Sequence, residues 1–233
     1  MNIKEIILRG SMLAGVVLLG VLATGCNDDD DYEDWYYNRN YITATARNAI
    51  DGQFILVLND STVLHPRNVS YHPFDGKTVR VYGDVSLTSA SWQDLRRGGD
   101  FDCVVNGMDS ILTKKMVHSR GASQDAETYG KDYIDVEETW ETALEDGFLT
   151  IKFRTSFSGV ATHTLNLVQN EDDPYTLRFR QNRNGDPEGR YEVGLVAFDV
   201  SDLPSTGGAK HKVVLEWDAG SGIETETFYY RKP

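Results

Sequence analysis

"HTLNLVQNEDDPYTLRFRQNRNGD", residues 163–186, sets how the rest of the chain is read. In "TLRFRQ", Leu177 and Phe179 alternate with Arg178 and Arg180. Alternation with period two belongs to a strand with one core face and one wet face. Asp172-Asp173-Pro174 precedes this strand and Asn184-Gly185 follows it. Both are turn chemistry, because Asn and Gly tolerate positive φ and Pro cannot continue a ladder. Residues 162–169 and 175–180 are therefore expected as two strands.

The pattern extends outward in both directions. "KVVLEW" alternates in the same way, and strands are expected over 132–142, 148–157, 191–199, 212–217 and 225–230. Asp146-Gly147, Thr206-Gly207-Gly208 and Ala219-Gly220 punctuate them. About seven short strands at this spacing predict a β-sandwich over residues 132–233. Upstream, residues 41–49 and 78–87 alternate and 54–58 form a solid apolar run. Residues 101–105 and 111–117 complete a set of about five strands, with Asp51-Gly52 and Asn106-Gly107 as hairpin connections. Gly83 interrupts one run as a bulge or bend would. "SWQDLRRGGD" has room for one helical turn ended by Gly98-Gly99. Five strands in this space fit a closed OB-like barrel over 41–118, since closure removes exposed edges. Residues 119–131, "SRGASQDAETYGK", are poor in aliphatics and read as a linker. The expected fold class is all-β.

The first 25 residues differ from everything that follows. Lys4 and Arg9 precede an apolar run at 12–21, about 10 residues long and far short of the roughly 20 that span a bilayer. A basic start, a short apolar run and small residues describe a cleaved signal peptide. Leu22-Ala23-Thr24-Gly25-Cys26 resembles the lipobox of bacterial lipoproteins, which implies cleavage before Cys26 and lipidation of its sulfur. Several acyl chains anchor stably, at about 0.8 kcal/mol per buried methylene. Asn27, Asp28, Asp29, Asp30 and Asp31 follow, within a tether at 26–40. They resemble the acidic surface-export signal of Bacteroides lipoproteins, which implies an outer-membrane location facing the cell exterior. A solvated spacer gives the same composition.

Charge narrows the partners. The chain has 233 residues, 40% hydrophobic, with a net charge of −13; without the signal peptide it is roughly −14. Such a surface disfavours nucleic acid, which needs Lys and Arg to displace counterions. It also disfavours electrostatic attachment to anionic lipid, so the lipid must supply the membrane contact. With Cys26 acylated, Cys103 is the sole remaining thiol and no internal disulfide can form.

The anchor and acidic tether, the barrel ending in "SILTKKMV" at 110–117, the linker and the opening "HTLNLVQN…YTLRFRQNRNGD" together resemble the NigD-like lipoproteins of the Bacteroidales. The resemblance runs over 26–233. It implies an N-terminal OB-type domain, a C-terminal β-sandwich and a role in bacteriocin immunity or defence. It carries over no functional residue.

The residues themselves offer little chemistry. Thr155-Ser156-Phe157-Ser158-Gly159 lacks the first glycine of a nucleophile elbow and the helix that should follow it. His65, His72, His118, His163 and His211 show no metal-ligand spacing; His163 is expected to face solvent or a neighbouring element. Residues 182–188, "NRNGDPE", lack the length and the final Glu of a calcium loop and read as a turn. Glu137, Glu138 and Glu141 are acids in one segment, as glycoside hydrolysis would require, though an acidic surface is the plainer account. Trp92, in the long barrel loop, is the candidate ligand contact, because OB loops bind oligosaccharides; capping one end of the barrel is the plainer role for its ring. Trp140 and Trp217 are expected in the core. Asp109-Ser110-Ile111 and Asp60-Ser61-Thr62 resemble Bacteroides O-glycosylation sites, making Ser110 and Ser61 candidates, Ser110 the better placed.

The expectation is thus a non-catalytic surface lipoprotein without cofactor or metal. Its partner is an unknown protein, or a glycan if it is an accessory of a carbohydrate uptake system. The oligomeric state is left open. Cys26→Ser removes the thiol that diacylglycerol transfer needs, so metabolic palmitate label on the chain is expected to vanish; undiminished label refutes the anchor.

Overall fold

The computed structural model describes residues 40–232, which divide between Ser110 and Ile111 into two compact units. The expected signal peptide at 1–25, Cys26, the expected export signal at Asn27–Asp31 and the aromatics Trp35, Tyr36 and Tyr37 lie outside the described residues.

The first unit is a five-stranded closed barrel. Its strands are β1 (Tyr41–Asn48), β2 (Phe54–Asn59), β3 (Thr62–Pro66), β4 (Val79–Leu87) and β5 (Gly99–Ser110). They close in the order β1-β2-β3-β5-β4, with β3 and β5 parallel and the other pairs antiparallel. Ile42, Ala44 and Ala46 of β1 meet Leu56, Leu58, Leu64, Val81, Val85 and Cys103 inside. The two alanines leave room for the larger residues opposite, as a tapering barrel interior requires. A bulge between Asp84 and Val85 bends β4 one residue beyond Gly83. A single 3-10 turn, Asp94–Arg97, ends at Gly98, where φ is +71°. Leu95 of that turn is buried in the barrel core.

Two expectations for this unit are corrected. The fifth barrel strand is β3, paired to β2 through a two-residue turn, and the segment at 111–117 is not part of the barrel. Asn106-Gly107 is no turn either. Both residues lie inside β5, where Gly107 pairs with Asp84. The strand pairing outcompetes the local turn preference because β5 follows β4 from Cys103 to Ser110, on both sides of Asn106-Gly107.

The second unit is a sandwich. One sheet runs β6 (Leu112–Lys115), β13 (Arg190–Asp199), β10 (Phe148–Phe157) and β8 (Asp135–Val136), with β9 (Ala143–Glu145) also on β10. The other runs β15 (Ile223–Tyr230), β14 (His211–Asp218), β12 (Thr176–Asn182), β11 (Thr164–Gln169) and β7 (Val117–His118). The six long strands fall where strands are expected from the sequence, and β12 and β14 show the alternation read there. The expected strand at 132–142 is instead an isolated bridge at Asp132 and the short β8, followed by turns. Phe153 packs edge to face on Phe179, and Phe179 on Phe198, at 5.9 and 6.0 Å. Gly194 stands opposite Phe153, and a methyl group there would come within 2.7 Å of the ring.

The expected boundary after 118 and the linker at 119–131 are also corrected. β6 adds in parallel to β13 and β7 in parallel to β11, so residues 112–118 supply one strand to each sheet. The supposed linker contains helix α1 (Ala122–Tyr129). Asp125 is buried and accepts hydrogen bonds from Ser119 Oγ at 2.6 Å and Arg120 N at 2.7 Å. The Tyr129 hydroxyl donates to the His118 carbonyl at 3.0 Å. Arg180 Nη1, from β12, donates to the Gly130 carbonyl at 3.1 Å. A helix held by polar side chains shows no apolar stripe, which is why its composition reads as a loop.

Gly130 has φ +103°, and a Cβ there would lie 2.1 Å from the Gln181 carbonyl oxygen. The backbone is both left-handed and in contact, so only glycine fits. Gly130→Ala is expected to cost about 2 kcal/mol or more in a urea titration; unchanged stability contradicts the docking of α1.

Candidate functional site

The turn at residues 182–188 proves to hold the most connected polar group of the sandwich. Asp186 is 4% exposed. Its carboxylate accepts from Ser158 N at 2.8 Å, Ser158 Oγ at 2.7 Å, Val160 N at 2.9 Å and Ala161 N at 2.8 Å. His163 Nε2 stands 3.1 Å away, in a fully buried pair. Burial pushes the carboxyl up, but the bonds from Ala161, Ser158 and His163 outweigh it and hold Asp186 well below the usual range. Of the two placements expected for His163, solvent or a neighbouring element, the structure shows the second: burial, its largest influence, pushes its pKa down against the pull of Asp186. Gln181 Nε2 lies 2.9 Å from His163 Nδ1 and donates to Thr155 Oγ1 at 2.9 Å. With Nδ1 accepting from Gln181, the ring proton sits on Nε2 and points at Asp186.

Ser, His and Asp are thus together, but in the wrong order for nucleophilic catalysis. Both Ser158 and His163 bind the same carboxylate, and no bond links serine to imidazole. A nucleophile needs its base within reach and substrate access. Here Asp186 clamps the 158–161 loop onto the sandwich.

The exposed chemistry lies on the outer face of the first sheet. Tyr191 is 59% exposed and Val193 42%. Arg154, paired in register with Val193, bridges to Asp135 at 3.0 Å and stands 5.9 Å from the Tyr191 ring centre. Tyr133 joins them. Its phenol is raised above the ordinary range first by a hydrogen bond to Tyr191, then by the charge of Glu188. Tyr and Arg in one exposed cluster are the residue types that anchor protein interfaces.

The rim of the second sheet carries acids. Glu226 is pushed up to about 7, by burial first and by the charge of Glu138 second. On the first sheet, Lys152 of β10 is shared by Glu141 at 3.1 Å and Glu137 at 3.6 Å. Two acids held by one lysine do not form a free acid and base pair.

Residues 115–230 match the family model of the NigD-like C-terminal beta sandwich domain. Through this domain the chain belongs to the NigD-like family. A Parabacteroides distasonis structure described as a putative toxin-related protein aligns with a TM-score of 0.68 at 28% identity, over 82% of this chain and 92% of that one. A protein of unknown function from Bacteroides vulgatus aligns at 0.63 with 21% identity, over 83% and 90%. A NigD-like immunity protein from Bacteroides caccae aligns at 0.58 with 16% identity, over 85% and 100%. No curated protein matches the sequence.

In this NigD-like chain the residues singled out from sequence are scattered. Trp92 is half-buried against the barrel core, so its ring serves the barrel. Ser61 is exposed in the β2–β3 turn, its hydroxyl donating to Asn59 Oδ1 at 3.0 Å. Ser110 ends β5, paired with Val81, so Ser61 rather than Ser110 occupies the turn. Trp140 and Trp217 are buried as expected. Cys103 is fully buried, and burial with the Asp102 charge pushes its thiol up to about 12, which makes it a packing residue. Among the described residues no group of three His, Cys, Asp or Glu is placed to hold a metal ion. The sequence reading missed Asp186 and the Tyr133, Arg154 and Tyr191 face. The aspartate was masked by its turn motif, and the face is assembled from three separate segments.

Glu226 gives a pH dependence of defined sign. Its folded pKa of about 7 lies above the ordinary 4.5. Between those values the folded state holds the proton more tightly, so stability falls as pH rises, and the deficit is complete above pH 7. Glu226→Gln is expected to raise Tm at pH 8 and to match the parent at or below pH 4.5; equal Tm at pH 8 refutes the crowding.

Proposed function

We propose that this chain is a non-catalytic lipoprotein, anchored in the outer membrane through Cys26 and facing the cell exterior. On this reading it protects its own cell by binding a bacteriocin. The observation that carries the binding role is the Tyr133, Arg154 and Tyr191 face, exposed on a rigid sheet while the polar groups around Asp186 are buried and mutually bonded. Preorganised aromatic and arginine side chains bind without ordering a loop, which removes one of the costs of association. The immunity role is supported by the family and by the description of the B. caccae relative. The second reading is a glycan-binding accessory of a carbohydrate uptake system. It is favoured by the exposed Tyr191 ring, with Arg154 and Asp135 beside it to meet hydroxyl groups.

Deleting the gene separates the two. Immunity predicts that the deletion strain becomes sensitive to bacteriocin from its own parent, that the intact gene restores resistance, and that Tyr191→Ala restores it poorly at equal surface level. Unchanged resistance, with slower growth on a host glycan, favours the second reading and refutes the first.

A further inference from the structure

β15 is the outer strand of the second sheet, and among the described residues no strand pairs with its free edge. Such an edge presents backbone N–H and C=O groups that can receive another strand. It runs for 8 residues. Ile223, Glu224, Thr225, Thr227 and Tyr229 are exposed along it.

The register with β14 fixes where its side chains point. Glu226 lies opposite Leu215 and Glu224 opposite Trp217, and both of those partners are buried in the core. Paired residues of an antiparallel ladder share a face. The two glutamates therefore occupy the core-facing row at the rim, while Thr225, Thr227 and Tyr229 occupy the outer row. Glu226 Oε2 is buried and has no hydrogen-bond partner among the described residues. Glu138 approaches it from the segment after β8 and adds like charge.

Charge selects the occupant. Inward-pointing charges on an edge strand guard it against self-association. A second copy pairing here brings two more carboxylates into the same row. The chain's own tether is no better suited, since residues 27–34 include Asp28, Asp29, Asp30, Asp31, Glu33 and Asp34. Lys or Arg in an added strand would instead sit about 5 Å from the glutamates as cross-strand neighbours.

We propose that β15 is a strand-addition site for an extended cationic segment of a partner protein, in which Lys or Arg alternates with β-branched residues. The edge backbone binds the added strand, and its basic side chains reach Glu224 and Glu226. The intervening residues continue the outer row beside Thr225, Thr227 and Tyr229. The net charge of −13 draws such a segment from a distance. This site is separate from the Tyr191 face and does not rest on the immunity reading.

The test uses the full-length chain in detergent and a fluorescein-labelled peptide of sequence Thr-Lys-Val-Lys-Val-Lys-Thr. Fluorescence anisotropy is expected to show saturable binding. The Glu224→Gln, Glu226→Gln double variant, which keeps side-chain shape, is expected to weaken it about tenfold or more. N-methylation of alternate peptide bonds, which keeps the charges and blocks the ladder, is expected to abolish it. Hydrogen exchange is expected to slow over 223–230 only with the unmodified peptide. Absence of binding overturns the proposal, as does equal binding by the N-methylated peptide or by the double variant. Slowed exchange confined to the Tyr191 face does so too. Protection of β15 before peptide is added also overturns it: dependence on protein concentration then identifies a second copy, and independence identifies the chain's own N-terminal segment.

Discussion

Phe153, Phe179 and Phe198 meet edge to face between the two sheets, and the rest of the sandwich is arranged to keep that contact dry. Fully buried aromatic side chains contribute large apolar areas and a preferred geometry. Phe153 sits on β10, Phe179 on β12 and Phe198 on β13, so neither sheet is stable without the other. Gly194 exists where it does because Phe153 needs the space. β6 and β7, entering from the end of the barrel, add one parallel strand to each sheet and shield a flank of the core. Parallel pairing there costs no hairpin, since the chain simply passes from one sheet to the other.

Buried polar groups then do the fastening that apolar packing cannot. Asp186 gathers four donors from residues 158–161 in addition to His163, and Asp125 holds the start of α1. A carboxylate accepting several backbone bonds stays ionised even when buried. Asp186 sits in the turn after β12 and Asp125 in the first turn of α1, so the segments that bond to them have a fixed position. That rigidity matters for binding. The Tyr133, Arg154 and Tyr191 face lies on strands and on a segment held separately, where Asp132 N donates to the Gln181 carbonyl at 3.0 Å and the Asp132 carboxylate accepts from Arg183 N at 2.7 Å, which lets it meet a partner without rearrangement.

The two exposed features of the sandwich differ in chemistry. The outer face offers aromatic area and one arginine already paired to Asp135. The β15 edge offers backbone that no strand pairs with among the described residues, and a row of acids that disfavours a second copy of the chain. A protein with these surfaces can hold one partner by side chains and another by strand addition, or one partner by both.

Much of the fold was legible in the alternating residues. Leu177 and Phe179 against Arg178 and Arg180 already imply one dry and one wet face, β14 follows the same rule, and turn residues mark off the other long sandwich strands. Four of the five barrel strands were visible too, β1 and β4 from alternation, β2 as a solid apolar run and part of β5 as an apolar stretch. The short strands were less so: β6 and β7 read as one strand at 111–117 and were given to the barrel, β8 was lost inside a longer expected strand at 132–142, and β9 was not seen, because two to four residues carry no period. β3 escaped because "TVLHP" ends in a proline that local rules treat as a breaker. By itself the sequence determined the strand class, the two-unit order, the acidic charge and the lipobox-like cysteine, all of which depend on residues close together in the chain. Tertiary structure alone decided the fate of Asn106-Gly107, the docking of α1, the burial of His163 against Asp186 and the assembly of Tyr133, Arg154 and Tyr191. Those depend on partners tens of residues away, and the competition between a local turn and a distant strand is settled only when the distant strand arrives.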